Sequence, residues 1–144
     1  ERAAQLSAKV KDIHEFLVGL PFVPPQARLA YRVTYQGSCH LTHAQRITEA
    51  PRELLGSIPG LELIEMDGAA NCCGAGGSYS ITQREFSLRL LDTKMSAIEG
   101  TGANVIATAN PGCAIQLRLG VQRESSPARV RYVTDLLDLA YSLE

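Results

Sequence analysis

The chain has 144 residues, 45% hydrophobic and 20% charged, with a formal net charge of −1. That is the size and balance of one ordinary globular domain with room for a core. It argues against the basic face of a nucleic-acid binder, and no run of about eighteen apolar residues offers a membrane span.

Residues 3–20 carry apolar side chains at Leu6, Val10, Ile13, Phe16 and Leu17, which predicts a helix with His14 on its surface. Pro21, Pro24 and Pro25 end it. Residues 32–35 read as a strand, and Gly37-Ser38-Cys39-His40 as a loop or helix start. Pro51 suits the first turn of a second helix with Leu54, Leu55 and Ile58 on one face, stopped by Pro59-Gly60. Residues 61–66 read as a strand and 67–79 as a long Gly- and Ala-rich turn holding Cys72-Cys73-Gly74.

A third helix is predicted from Thr82 as N-cap, with Glu85 completing a capping box. Its buried stripe is Phe86, Leu90, Leu91, Met95 and Ile98, and Gly100 and Gly102 end it. Residues 104–109 form a third strand, Asn110-Pro111-Gly112-Cys113 a turn, and 114–119 a short fourth helix. A polar loop over 122–128, a strand over 130–133 and a helix over 135–142 complete the chain. Strands alternating with helices predict an α/β fold: a three-layer domain whose four-stranded, mainly parallel sheet is flanked by helices. The opening Glu1-Arg2-Ala3-Ala4 has no signal-peptide pattern and reads as internal to a longer protein, so residues 1–144 are expected to be a single domain cut from it.

The chemistry sits on the four cysteines, Cys39, Cys72, Cys73 and Cys113. Adjacent cysteines rarely bond to each other, and a chain this long needs no staples, so metal ligation outweighs two disulfides. Cys39 follows the first predicted strand, Cys72-Cys73 the second and Cys113 the third. A parallel sheet places all three segments at one edge, where ligands bind in open α/β folds. Gly74 permits the turn that aims two neighbouring thiols at one centre. His40 and His43 are candidate ligands or hydrogen-bond donors to a sulfur. A phosphate-cradling reading of the Gly-rich loop lacks the Lys-Ser/Thr ending, and no serine pairs with a histidine and an acid as in a hydrolase triad.

A cysteine, a gap of thirty-odd residues, Cys72-Cys73-Gly74, a similar gap and a terminal Cys113 resemble the cysteine-rich CCG domain of the heterodisulfide reductase B subunit and its relatives. The segments 37–45, 72–79 and 110–113 look most like the iron–sulfur subunits of bacterial glycolate oxidases, with lactate-utilisation iron–sulfur proteins as near relatives. The family motif ends C-x-x-C, and Asn110 stands where its first cysteine would be; Thr134 stands where relatives often have histidine. Four thiolates rather than five suit one cubane 4Fe–4S cluster, or a zinc site, better than the non-cubane cluster of the heterodisulfide enzymes.

The resemblance implies metal ligation by Cys39, Cys72, Cys73 and Cys113, with the loop of Gly74 and the turn of Asn110 serving the cofactor through backbone N–H groups. It implies an electron-transfer domain with no catalysis of its own. Its partners would be flavin-containing oxidase subunits that oxidise a 2-hydroxy acid, and ferredoxin-type domains upstream. Its location would be cytoplasmic, or peripheral at the inner membrane through its complex. A structural four-cysteine zinc site and a metal-free docking domain with vestigial cysteines stand as the rival readings.

Overall fold

The computed structural model describes residues 1–143. Four strands, β1 (Arg32–Gln36), β2 (Glu62–Leu63), β3 (Val105–Thr108) and β4 (Arg129–Tyr132), form one sheet in the order β2-β1-β3-β4. Every pairing is parallel, with Val33 beside Leu63 and Val105, and Val105 beside Arg129. The helices are α1 (Arg2–Ser7), α2 (Ile13–Val18), α3 (Glu49–Gly56), α4 (Tyr79–Thr82), α5 (Arg84–Thr101), α6 (Pro111–Arg123) and α7 (Val133–Ser142), with a π-helical turn at His40–Gln45.

The two-residue period of the strands sorts the core into two layers. Val33, Tyr35, Val105 and Ala107 face one side, against Leu54 and Leu55 of α3 and Leu136 and Leu137 of α7. Ile106 and Val130 face the other, against Leu91, Met95 and Ile98 of α5 and Ala114 and Leu117 of α6. This is the three-layer α/β domain that the alternation of elements predicts. The chain leaves β1 to one side, through α3 to β2, then crosses back over β1 through α5 to reach β3. Two crossovers of one hand running in opposite directions must use opposite faces of the sheet, as α3 and α5 do. The strand order therefore reverses beside β1, and a crevice opens between the C-terminal ends of β1 and β3.

Several local expectations are corrected. The helix expected over 3–20 is two short helices, because Asp12 caps a new one: its carboxylate accepts from the His14 N–H at 2.9 Å. The same Oδ1 holds His14 Nδ1 at 2.7 Å, so the ring turns inward and His14 is buried rather than on the surface. Asp12 followed by Glu15 is a capping-box spacing that the apolar periodicity masked. The strand expected over 61–66 forms a ladder only at Glu62–Leu63. The long helix starts at Arg84, since Thr82 ends α4 and its hydroxyl donates to the Ser78 carbonyl. Its buried face is Ser87, Leu91, Lys94, Met95 and Ile98, while Phe86 and Leu90 are exposed.

The fourth helix is longer than expected. Asn110 caps it, Pro111 occupies its first position, and it runs to Arg123. Gly120 lies inside it because α6 crosses α5 closely: a Cβ there would sit 2.6 Å from Met95 Sδ.

The loop between β2 and α4 is held by its glycines. Gly74 has φ +89°, and a Cβ on it would lie 2.2 Å from the Ser87 carbonyl oxygen. Ser87 Oγ donates to the Gly74 carbonyl at 2.7 Å and accepts from Gln116 Nε2 at 3.0 Å, so the loop is tied to both α5 and α6.

Two comparisons check this packing by chemical denaturation followed by circular dichroism. Leu91→Ala should lower stability by about 2–5 kcal/mol as a cavity in a closed core, and Phe86→Ala by under about 1 kcal/mol. Gly74→Ala combines a left-handed backbone with a backbone clash and should cost about 2–5 kcal/mol. Gly77→Ala, at φ +59° with open space around it, should cost about 1 kcal/mol.

Candidate metal centre

Three segments reach the crevice from three strands. β1 ends in Gln36 and continues through Gly37-Ser38 to Cys39, at the start of the π-helical turn. Cys72 and Cys73 lie in the loop after β2, and Cys113 is the third residue of α6, just after β3. All four cysteines line one cavity of about 300 Å³, together with Gln36, His40, Gly76, Gly77 and Asn110. Their exposure is graded: Cys73 and Cys113 are buried, Cys72 is intermediate and Cys39 is exposed.

The segments are stitched together before any ligand is considered. The Gly37 N–H donates to the Ala69 carbonyl at 3.1 Å. Gln36 Nε2 donates to the Gly37 carbonyl at 2.6 Å and the Asn71 carbonyl at 3.1 Å, which fixes the exit of β1 to the loop that carries Cys72. Gln36 Oε1 is left buried without a partner in the cavity wall. Asn110 Oδ1 accepts from the Cys113 N–H at 3.2 Å, placing Cys113 in the first turn of α6, whose positive end favours a thiolate.

The sulfurs sit among hydrogen-bond donors. The Gly74 N–H donates to Cys72 Sγ at 3.3 Å. The Cys73 thiol is brought down to about 6, chiefly by a hydrogen bond from the Cys113 thiol; burial opposes this, while the Ala75 N–H and the Lys94 charge assist. Cys113 is pushed up as the proton holder of that pair, and burial adds to the effect. Burial also raises Cys72, against the Gly74 N–H. A cation binding at these two buried sulfurs would displace the proton of the Cys113 thiol.

A thiolate-ligated centre fits these residues. The donor set is four sulfurs, Gln36, whose amide oxygen is buried without a partner, lines the same space, and glycines at Gly74, Gly76 and Gly77 keep side chains out of the loop. Among the described residues, however, no three His, Cys, Asp or Glu side chains are gathered closely enough to hold one metal ion.

His40 lines the cysteine cavity, with its Nε2 3.1 Å from Gln45 Nε2. His43 lines a second cavity of about 470 Å³ that shares Cys39 and Cys72 as its wall. That second cavity also contains Lys94, which the sequence reading passed over. Lys94 is only 3% exposed, and its Nζ donates to the Gly68 carbonyl at 2.6 Å. Burial lowers its proton affinity, and the charges of Cys73, Cys113 and Cys72 raise it again. Gln36 was missed as well. The available signals were a lysine in helical register with Leu91 and Ile98, and a glutamine on a strand otherwise suited to burial.

The same segments are matched by comparison with known proteins. The family model for the CCG cysteine-rich domain covers residues 33–118. A probable glycolate oxidase iron-sulfur subunit of Bacillus subtilis strain 168 is 46% identical over 143 residues, covering 95% of this chain and 32% of that protein. Lactate utilization protein A of Halalkalibacterium halodurans is 34% identical over 139 residues, covering 96% of this chain and 57% of that protein. Its counterpart in Lysinibacillus sphaericus is 33% identical over 138 residues, with 95% and 60% covered. The chain therefore spans about a third of the first relative and under two thirds of the other two. No helix among the described residues is long and apolar enough to cross a membrane. With its three sulfur-bearing segments inside the matched region, the chain belongs to the CCG cysteine-rich domain family.

Proposed function

We propose that this chain is a single cysteine-rich domain of a longer iron–sulfur subunit, and that Cys39, Cys72, Cys73 and Cys113 ligate a 4Fe–4S cluster in an electron-transfer role. The observation that carries the reading is the convergence of four thiols, from the ends of three neighbouring strands, on one cavity. Bound there, such a cluster supplies reversible one-electron transfer, which is what a two-electron flavin oxidation needs downstream.

The residues of the chain do the rest. The Gly74 N–H donates to Cys72 Sγ, and the Ala75 N–H acts on Cys73, so backbone dipoles bear on the electron density at sulfur. Asn110 fixes Cys113 through its cap and so orients that ligand. Cys73 and Cys113, inside the second core layer, are shielded from water, whereas Cys39 stands at the surface and marks the side through which electrons enter or leave.

The relatives named as glycolate oxidase and lactate utilization proteins support 2-hydroxy acid oxidation as the process served. In this reading the electron donor is a flavin-containing partner subunit, ferredoxin-type modules precede this domain in its full chain, and the assembly is cytoplasmic or peripheral at the inner membrane.

Anaerobic reconstitution with iron and sulfide, followed by metal and sulfide analysis and by absorption and EPR spectra, tests the reading. About four irons and four sulfides per chain are expected, falling by more than half in Cys73→Ser and Cys113→Ser. One zinc per chain without sulfide would establish the structural alternative. An unchanged iron content in all four Cys→Ser variants would remove these residues as ligands.

A further inference from the structure

Lys94 presents a problem that the fold alone does not solve. It lies on the buried face of α5 between Leu91 and Ile98, where a side chain such as the neighbouring Met95 would fill space without a charge. Its ammonium group makes one hydrogen bond, to the Gly68 carbonyl, out of the three it can donate. Among the described residues no carboxylate comes within ion-pair distance of it; Asp67 lines the same cavity without pairing to it. A buried charge left in this state is destabilising unless an anion answers it.

Besides Asp67, the potential anions around that cavity are sulfurs. Lys94 shares the wall of the 470 Å³ cavity with Cys39 and Cys72, and the groups that act on its charge are Cys73, Cys113 and Cys72. The loop from Gly68 to Gly74 joins the two sites, with the lysine holding its first residue and Cys72-Cys73 near its far end. Resting on the four-cysteine reading above, we propose that Lys94 is the fixed positive charge that offsets the net negative charge of a thiolate-ligated cluster in the adjoining four-cysteine cavity, across the wall formed by Cys39 and Cys72, and raises its reduction potential.

The balance is simple. One-electron reduction of a cluster held there, by the flavin partner proposed above, would make and break no bond and would raise the negative charge of the site by one. A nearby ammonium stabilises the product of that step more than the reactant. Lys94 is thus a positioning and tuning residue and does not ligate.

The test is a dye-mediated potential titration, followed by EPR, of the reconstituted chain and of Lys94→Met, Lys94→Gln and Lys94→Arg. Gln keeps an N–H for the Gly68 carbonyl while removing the charge, and it carries the test if the Met variant does not fold. At a fixed ambient potential the ratio of reduced to oxidised centre should fall about tenfold in Met and Gln, equivalent to about 59 mV for a one-electron couple. Iron content should stay unchanged, and Arg should remain within about twofold of the parent. Equal potentials in parent and Gln, with equal iron, would overturn the role of Lys94 and leave the iron–sulfur reading standing. A parent chain that takes up no cluster would overturn that reading first, and this one with it.

Discussion

The parallel hydrogen-bonded ladder centred on β1 is the constraint on which the rest depends. Because β2 and β3 both pair with β1 in parallel, all three strands end at the same edge. Because α3 and α5 lie on opposite faces, the following segments splay apart there and leave a crevice instead of closing over the strand ends. Cys39, Cys72, Cys73 and Cys113 are far apart in sequence, yet each is only a few residues beyond one of these strand ends or, for the pair, in the one loop that follows β2. No special tertiary device is required to assemble the donor set. What is special is the stiffening of the loop: the positive φ of Gly74 and the Ser87–Gln116 bridge tie it to both helices of the second layer.

That stiffening sets the electrostatics. Four thiols in one partly enclosed cavity cannot all ionise without an opposing charge, since like charges at short range in a low-dielectric space disfavour each other. The fold answers in three ways: backbone N–H groups at Gly74 and Ala75, the N-terminal end of α6 beneath Cys113, and the ammonium of Lys94 behind the loop. Cys73 is lowered chiefly by the hydrogen bond from the Cys113 thiol, with the Ala75 N–H and the Lys94 charge assisting, while Cys113 is pushed up by the same bond. The site is thus poised for a cation whose charge exceeds what the protein itself supplies.

The alternation of strands and helices, the layer architecture and the cysteine-bearing segments were all legible in the sequence, because each rests on a short-range pattern. The errors came from places where a local signal competed with a tertiary one. The apolar period through residues 3–20 hid Asp12, whose cap breaks the helix and turns His14 inward. On α5, Phe86 and Leu90 outrank Ser87 and Lys94 in hydrophobicity, yet the buried face is the one that meets the cysteine loop, and there Ser87 and Lys94 satisfy its carbonyls. The face of a helix that packs on a polar loop cannot be found by apolar spacing alone. Gln36 escaped for the same reason: its burial is set by the Gly37 and Asn71 carbonyls it satisfies.

Asn110 shows how the loss of one thiol changes what the site can become. It stands where the resemblance noted in the sequence would place the first cysteine of a terminal C-x-x-C, and its oxygen is already engaged with the Cys113 N–H. A cysteine there would offer a fifth sulfur and only a weak acceptor for that N–H. Asparagine instead caps α6, with Pro111 as the first residue of the helix, and so exchanges a ligand for a firmly oriented Cys113. Four sulfurs in one cavity and a preset helix terminus are the arrangement that the proposed cluster would meet.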